Sequence, residues 1–163
     1  MGGRSFIMKR KKILTMVLAV ICVISCLMIP TLASNTDDTR ITPLTVAGSG
    51  YKVYPGSRDK QDDSPLYLWI TSLTSSYVRV KALGTDSASA TSVNTTNCTC
   101  STTGSPYPYV TCYWDVDYSV HSTVYEDNFT YATYGFVNPF NDSLTLAAWW
   151  SPDSWNTHVD ATP

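Results

Sequence analysis

The chain changes its rhythm of apolar and polar residues part-way along. Residues 13–30, ILTMVLAVICVISCLMIP, form one uncharged, largely apolar run. Beyond Gly50 the rhythm becomes a two-residue alternation, the period with which side chains leave the two faces of a β-strand. LYLWITS puts Leu66, Leu68 and Ile70 on one face and Tyr67, Trp69 and Thr71 on the other. SYVRVKAL puts Val78, Val80 and Ala82 inward and Arg79 and Lys81 outward. The LTSS between them predicts a hairpin turn. NCTC and YVTCYWDVDYSV flank STTGSPYP and predict a second hairpin with a longer Gly-Pro loop. On its return strand Val110, Cys112, Trp114, Val116 and Tyr118 share one face, and Thr111, Tyr113, Asp115 and Asp117 share the wetter one.

YKVYP predicts a short first strand, NFTYATYGFV another and SLTLAAWW the last. In the last, Leu144, Leu146, Ala148 and Trp150 line the core face, while Thr145, Ala147 and Trp149 line the opposite one. Pro152 suits the second position of the SPDS turn, which can fold Trp155 back over the sheet as a lid, although simple packing of all three tryptophans accounts for them as well. No stretch carries a helical spacing of apolar residues. The pattern predicts an all-β domain over residues 51–155, a small antiparallel sheet or a two-layer β-sandwich of about six to seven strands. Residues 34–50, SNTDDTRITPLTVAGSG, read as a polar, partly disordered lead-in, and residues 156–163 as a tail.

The beginning of the chain is a different object. Arg4, Lys9, Arg10, Lys11 and Lys12 precede the apolar run, and TLAS follows it with small residues at the offsets of a cleavage site between Ala33 and Ser34. Basic start, apolar middle and small-residue exit are the three parts of a signal peptide over residues 1–33, helical in its apolar part. Met8, directly before KRKK, makes a compact start within it. Two other readings exist: an uncleaved anchor through 13–29, and a lipoprotein signal at Cys26, which would leave apolar LMIPTL at the mature end. Export is the expectation, to the extracellular space after cleavage.

Removing residues 1–33 changes the charge. Six basic residues then face thirteen acidic ones, a formal −7. This argues against nucleic acid and against anionic lipid as partners, since both select basic surfaces. Membrane contact is confined to the leader during export.

Three cysteines remain in the β domain: Cys98, Cys100 and Cys112. An exported domain keeps disulfides, and an odd count leaves one thiol over. Cys98 and Cys100 share a strand face and are poorly placed to bond each other. The predicted hairpin therefore pairs Cys112 with Cys98, or with Cys100 after a one-step change of loop register. Zinc bound by these cysteines and His121 is the rival, but the spacing matches no familiar zinc pattern. Calcium at RDKQDD or DVD lacks the regular loop signature. No metal or cofactor is expected.

Catalytic candidates are few. His121 near Glu126 and Asp127 has the composition of an oriented base, yet no nucleophile stands in a recognisable setting, and SPDSW lacks the glycines of a nucleophile elbow. Asp115 and Asp117 on one strand face would resemble a glycosidase pair. An exposed strand face accounts for them as well, and the chain reads as non-enzymatic. The binding candidates are Trp149 and Trp155. A tryptophan flanked by Thr145 and Ala147 offers a flat apolar platform for a sugar ring or a protein partner.

RDKQDDSPLYLWITS, VRVKALG and YATYGFVNPFNDSLTLAAWWSPDS, in that order, resemble the motifs of a family of small secreted proteins of Gram-positive bacteria, a family of unknown function. The resemblance spans most of residues 51–155. Its most recognisable parts are Arg58-x-Lys60 and Trp150 to Ser154; NCTC is not part of it. It implies export and a compact β fold, and assigns no catalytic or binding residue. Two functions are compatible with these readings. One is an extracellular or cell-envelope interaction module, for cell-wall glycan or a protein. The other is a secreted bacteriocin-like effector, against which the acidic charge counts.

Overall fold

The computed structural model describes residues 35–154 and 158–163. The leader, the Ala33–Ser34 junction and Trp155 lie outside the described residues. Among those described there is no helix, and the strands are β1 (Thr39–Val46), β2 (Tyr51–Val53), β3 (Arg58–Asp59), β4 (Leu66–Leu73), β5 (Val78–Thr85), β6 (Thr96–Asn97), β7 (Val110–Cys112), β8 (Asp117–Val120), β9 (Tyr131–Val137), β10 (Leu144–Ser151) and β11 (Val159–Asp160). They form two sheets. One has the order β1-β10-β4-β8-β11. The other has the order β2-β9-β5-β6, with β3 also on β9 and β7 also on β5.

The alternation read from the sequence sets what lies between the sheets. Ile41 and Val46 of β1, Leu66, Leu68 and Ile70 of β4, and Leu144, Leu146 and Trp150 of β10 are buried. Val78, Val80 and Ala82 of β5, with Ala132, Tyr134 and Phe136 of β9, are buried from the other sheet. Together they make one hydrophobic cluster, the two-layer sandwich core. Trp150 is fully buried. Its ring meets Tyr54 edge-on at 6.3 Å and 84°, and Tyr134 at 5.5 Å and 73°. Six strands have four or more residues, and these are the ones long enough to carry a period. The others have two or three residues each.

Four sequence expectations are corrected. LYLWITS and SYVRVKAL are not a hairpin: β4 and β5 belong to different sheets. Two strands that each bury one face can face each other across a sandwich as readily as lie side by side, and alternation does not distinguish these cases. The second hairpin also opens out. β6 and β7 both pair with β5, opposite Leu83–Gly84 and Val78–Val80 respectively. The return segment breaks after Cys112, with Asp115 in the left-handed region at φ 59° and its N–H on the Ile70 carbonyl at 2.9 Å. The chain then enters the other sheet as β8, so Trp114, expected on the core face, is 59% exposed.

The lead-in is not disordered over its length. Residues 39–46 are β1, paired antiparallel with β10 and irregular between Ile41 and Leu44, where Pro43 stands. A proline takes no part as a donor in the ladder and is tolerated on such an edge strand. The tail is also structured in part: β11 pairs parallel with β8, Ala161 is buried, and Thr162 bridges to Thr111 of the other sheet.

Three cations tie the sheets together along the β2–β3 edge. Lys52 Nζ donates to the Thr45 carbonyl at 3.2 Å. The Arg58 guanidinium donates to Thr39 Oγ1 at 2.9 Å, and also to the Asp37 carbonyl and Asn35 Oδ1. Lys60 Nζ lies 2.6 Å from Asp153 Oδ1, and both side chains are buried.

The two adjacent tryptophans should separate in a stability measurement. Trp150→Ala leaves a cavity in the core and costs about 3–5 kcal/mol. Trp149→Ala, on the outer face, costs clearly less. Urea unfolding of the two variants checks this, and equal losses would contradict the assignment of faces.

Candidate binding face

The outer face of the five-stranded sheet carries two tryptophans that the core does not use. Trp149 of β10 stands opposite Trp69 of β4, Arg40 of β1 opposite Trp149, and Asp117 of β8 opposite Trp69. Arg40, Trp149, Trp69 and Asp117 thus form one row across four strands. At the usual strand spacing the row spans about 14 Å. Both tryptophans are half-buried, and the flanking Arg40 and Asp117 are exposed. The result is an apolar strip with a cation at one end and a carboxylate at the other.

The next row holds a polar cavity. Ser151 stands opposite Tyr67, and Tyr67 opposite Ser119. The cavity is lined by Thr36, Asp38, Tyr67, Ser151, Asp153, Ser154 and His158, with a volume of about 260 Å³. Tyr67 Oη donates to Asp117 Oδ1 at 2.8 Å, and the His158 ring packs on the Tyr67 ring at 4.8 Å. Desolvation raises the Tyr67 phenol above its ordinary value, and the hydrogen bond to Asp117 and the charges of Asp117 and Asp38 add to this. Asp38 is also raised, first by desolvation; Arg58 and His158 oppose the shift, and Asp117 and Asp37 reinforce it.

Asp153 lines this cavity but is already committed. Its Oδ1 takes the Lys60 ammonium and its Oδ2 accepts the Asn35 N–H at 2.7 Å. Lys60 Nζ also donates to the Ser64 carbonyl at 2.6 Å and lies 3.5 Å from Asp62. The Ser151 hydroxyl donates to the Asp153 carbonyl, and the Ser154 N–H donates to Ser64 Oγ. Arg58-x-Lys60 and Trp150–Ser154 therefore meet in space, where Lys60 and Asp153 neutralise each other.

A family model described as a protein of unknown function, DUF2712, matches residues 29–154. The chain belongs to the DUF2712 family. No curated protein and no solved structure matches it. The DUF2712 match contains Trp69, Trp149, Asp117 and the Lys60–Asp153 pair, while His158 and β11 lie beyond its end.

The remaining candidates separate. The expected disulfide between Cys112 and Cys98 or Cys100 is not formed: all three are free and buried. Cys112 pairs with Val78, whereas the Cys98 N–H bonds the Ala82 carbonyl, four residues along the same edge of β5. That separation is about 13 Å, well beyond the reach of a disulfide. Cys100 has left β5, with its N–H on the His121 carbonyl at 3.0 Å. Burial pushes the Cys98 thiol up to about 11 and raises Cys100 and Cys112 as well. Protonated, enclosed thiols are poor nucleophiles at neutral pH.

His121 pairs with Asp160 of β11 at 2.9 Å, and not with the Glu126 and Asp127 expected from the sequence. Asp115 sits in the turn before β8 and does not share a strand face with Asp117. Among the described residues no three His, Cys, Asp or Glu side chains are placed to hold a metal.

Of the tryptophans named from sequence, Trp149 lies on this face and Trp155 lies outside the described residues. Sequence reasoning put Trp69 on an outer face but could not place it beside Trp149, because that needs the β4–β10 register. The exposed Trp114, with its indole N–H on the Thr71 carbonyl at 3.1 Å, was missed because the break after Cys112 was read as continuous strand.

Alkylation without reductant tests the cysteine assignment. Cys98, Cys100 and Cys112 should all be protected in the folded protein and all labelled in guanidinium. A disulfide-linked peptide in the digest would contradict it.

Proposed function

We propose that this chain is an exported, non-enzymatic binding protein of the cell envelope, and that the outer face of its five-stranded sheet takes a glycan. The basic and apolar leader supports export. The observation that carries the binding site is the Trp149–Trp69 pair beside a polar cavity. Sugar rings offer apolar faces that stack on indoles and hydroxyls that need polar partners. The tryptophan row supplies the first requirement. Tyr67, His158 and Asp38, one row away, supply the second.

A non-enzymatic reading is supported by how the reactive groups are occupied. Asp153 is neutralised by Lys60, and the thiols are buried.

Pull-down on purified cell-wall glycan and titration with soluble fragments test the site. Trp149→Ala and Trp69→Ala should each weaken binding by about tenfold, ~1.4 kcal/mol, with folded circular dichroism retained. Binding that ignores both substitutions, or no glycan binding by the unaltered protein, would defeat the proposal.

A further inference from the structure

Trp114 is the most exposed aromatic side chain among the described residues, and it is no part of the core cluster. It is nevertheless fixed in place. Its indole N–H donates to the Thr71 carbonyl at 3.1 Å, and the N–H of the next residue, Asp115, donates to the Ile70 carbonyl at 2.9 Å. An indole whose one polar atom is already bonded has its ring left to offer a ligand.

The position of this ring is set by β4. Tyr67, Trp69 and Thr71 leave the same face of that strand, each about 7 Å from the next. Tyr67 borders the polar cavity, Trp69 stands beside Trp149, and Trp114 is anchored at Thr71. Cavity, tryptophan pair and third tryptophan therefore follow one another along β4 over about 13 Å. Across the strands the aromatic surface stops at Arg40 and Asp117, whereas along β4 it continues. The other sheet offers no such line: on its outer face Arg79 and Lys81 are stacked on Tyr109 and Tyr51.

The charges beside this line are mostly carboxylates. Asp38 lines the cavity, Asp117 ends the row through Trp69, and Asp115 follows Trp114; all three are exposed, as is Asp37. Asp153 is neutralised by Lys60, and Asp160 pairs with His121. The cations are Arg40 beyond Trp149, Arg58, which is bonded to Asn35, Thr39 and the Asp37 carbonyl, and His158 on the Tyr67 ring.

We propose that this line is the track for an unbranched, uncharged glycan of the flat β-1,4-linked kind, with Trp114 as a third stacking station. The inference rests on the glycan reading above and adds the length, shape and charge of the bound chain. A β-1,4 linkage holds successive sugar rings in one extended ribbon, so rings can lie on the tryptophan pair and on Trp114 at once. An α-linked chain coils and leaves a flat sheet face. The track is too long for a disaccharide to reach from the cavity to Trp114. The carboxylates accept hydrogen bonds from hydroxyl and amide groups and repel uronate or phosphate chains.

Titration calorimetry with chitohexaose and cellohexaose, their disaccharides chitobiose and cellobiose, and α-linked maltohexaose tests this. At least one β-1,4-linked hexamer should bind about tenfold tighter than its own disaccharide and than maltohexaose; which of the two does so shows whether N-acetyl groups contribute. Trp114→Ala should remove that tenfold gain and leave disaccharide binding unchanged, with circular dichroism retained. Trp114→Phe, which keeps a ring without the N–H, should retain part of the gain. Absence of binding by every sugar overturns the glycan reading and this inference together. This inference alone is overturned if Trp149→Ala and Trp69→Ala weaken hexamer binding and Trp114→Ala does not, or if the hexamers bind no tighter than the disaccharides or maltohexaose.

Discussion

The ion pair between Lys60 and Asp153 is the interaction on which the arrangement of the two sheets depends. Lys60 follows β3 in one sheet, and Asp153 follows β10 in the other. Taking two charges out of water costs several kcal/mol each, which their attraction offsets only with good geometry and further hydrogen bonds. Those bonds are present: the Ser64 carbonyl on the ammonium and the Asn35 N–H on the carboxylate. The pair draws in the segment before β1, the loop before β4 and the turn after β10. A surface bridge would be worth little; this one leaves an unpaired buried charge if either partner is lost. The most recognisable motifs of the chain, 93 residues apart at their charged groups, thus have a structural explanation.

The same edge explains how cations are used in an acidic domain. Lys52 and Arg58 reach β1 near its two ends, at Thr45 and Thr39, and fix an edge strand whose own pairing is interrupted at Pro43. With the sandwich closed this way, its two outer faces are left with different characters. One presents tryptophans between an arginine and a carboxylate, and the other presents two cations backed by tyrosines.

Much of the architecture was legible in the sequence, for physical reasons that also set the limit. β4, β5, β9 and β10 run seven or eight residues, long enough for alternation to report which side is buried. Trp150 inward and Trp149 outward follow from that alone. Alternation is silent on which strand is the neighbour, so β4 and β5 were wrongly joined and the cysteine pairing was misplaced on a hairpin that does not close. β1 was illegible because Ile41, Leu44 and Val46 fall out of period around Pro43. The two- and three-residue strands carry no period at all. The ion pair was hidden inside RDKQDD, a charge run whose ordinary reading is a solvated turn. On the candidate face, Trp149 could be named from sequence; its partnership with Trp69, and the cavity beside them, depend on register and on residues 36–38 and 158 being brought together.

The most direct test of this account is a double-mutant cycle on the pair, with Lys60→Met, Asp153→Leu and the combined variant measured by urea unfolding. Each single change should cost about 3–5 kcal/mol, and the double variant should recover most of that loss, because it leaves no buried charge unpaired. Single losses below about 1 kcal/mol, or two losses that simply add in the double variant, would contradict the claim that Lys60 and Asp153 hold the sheets together.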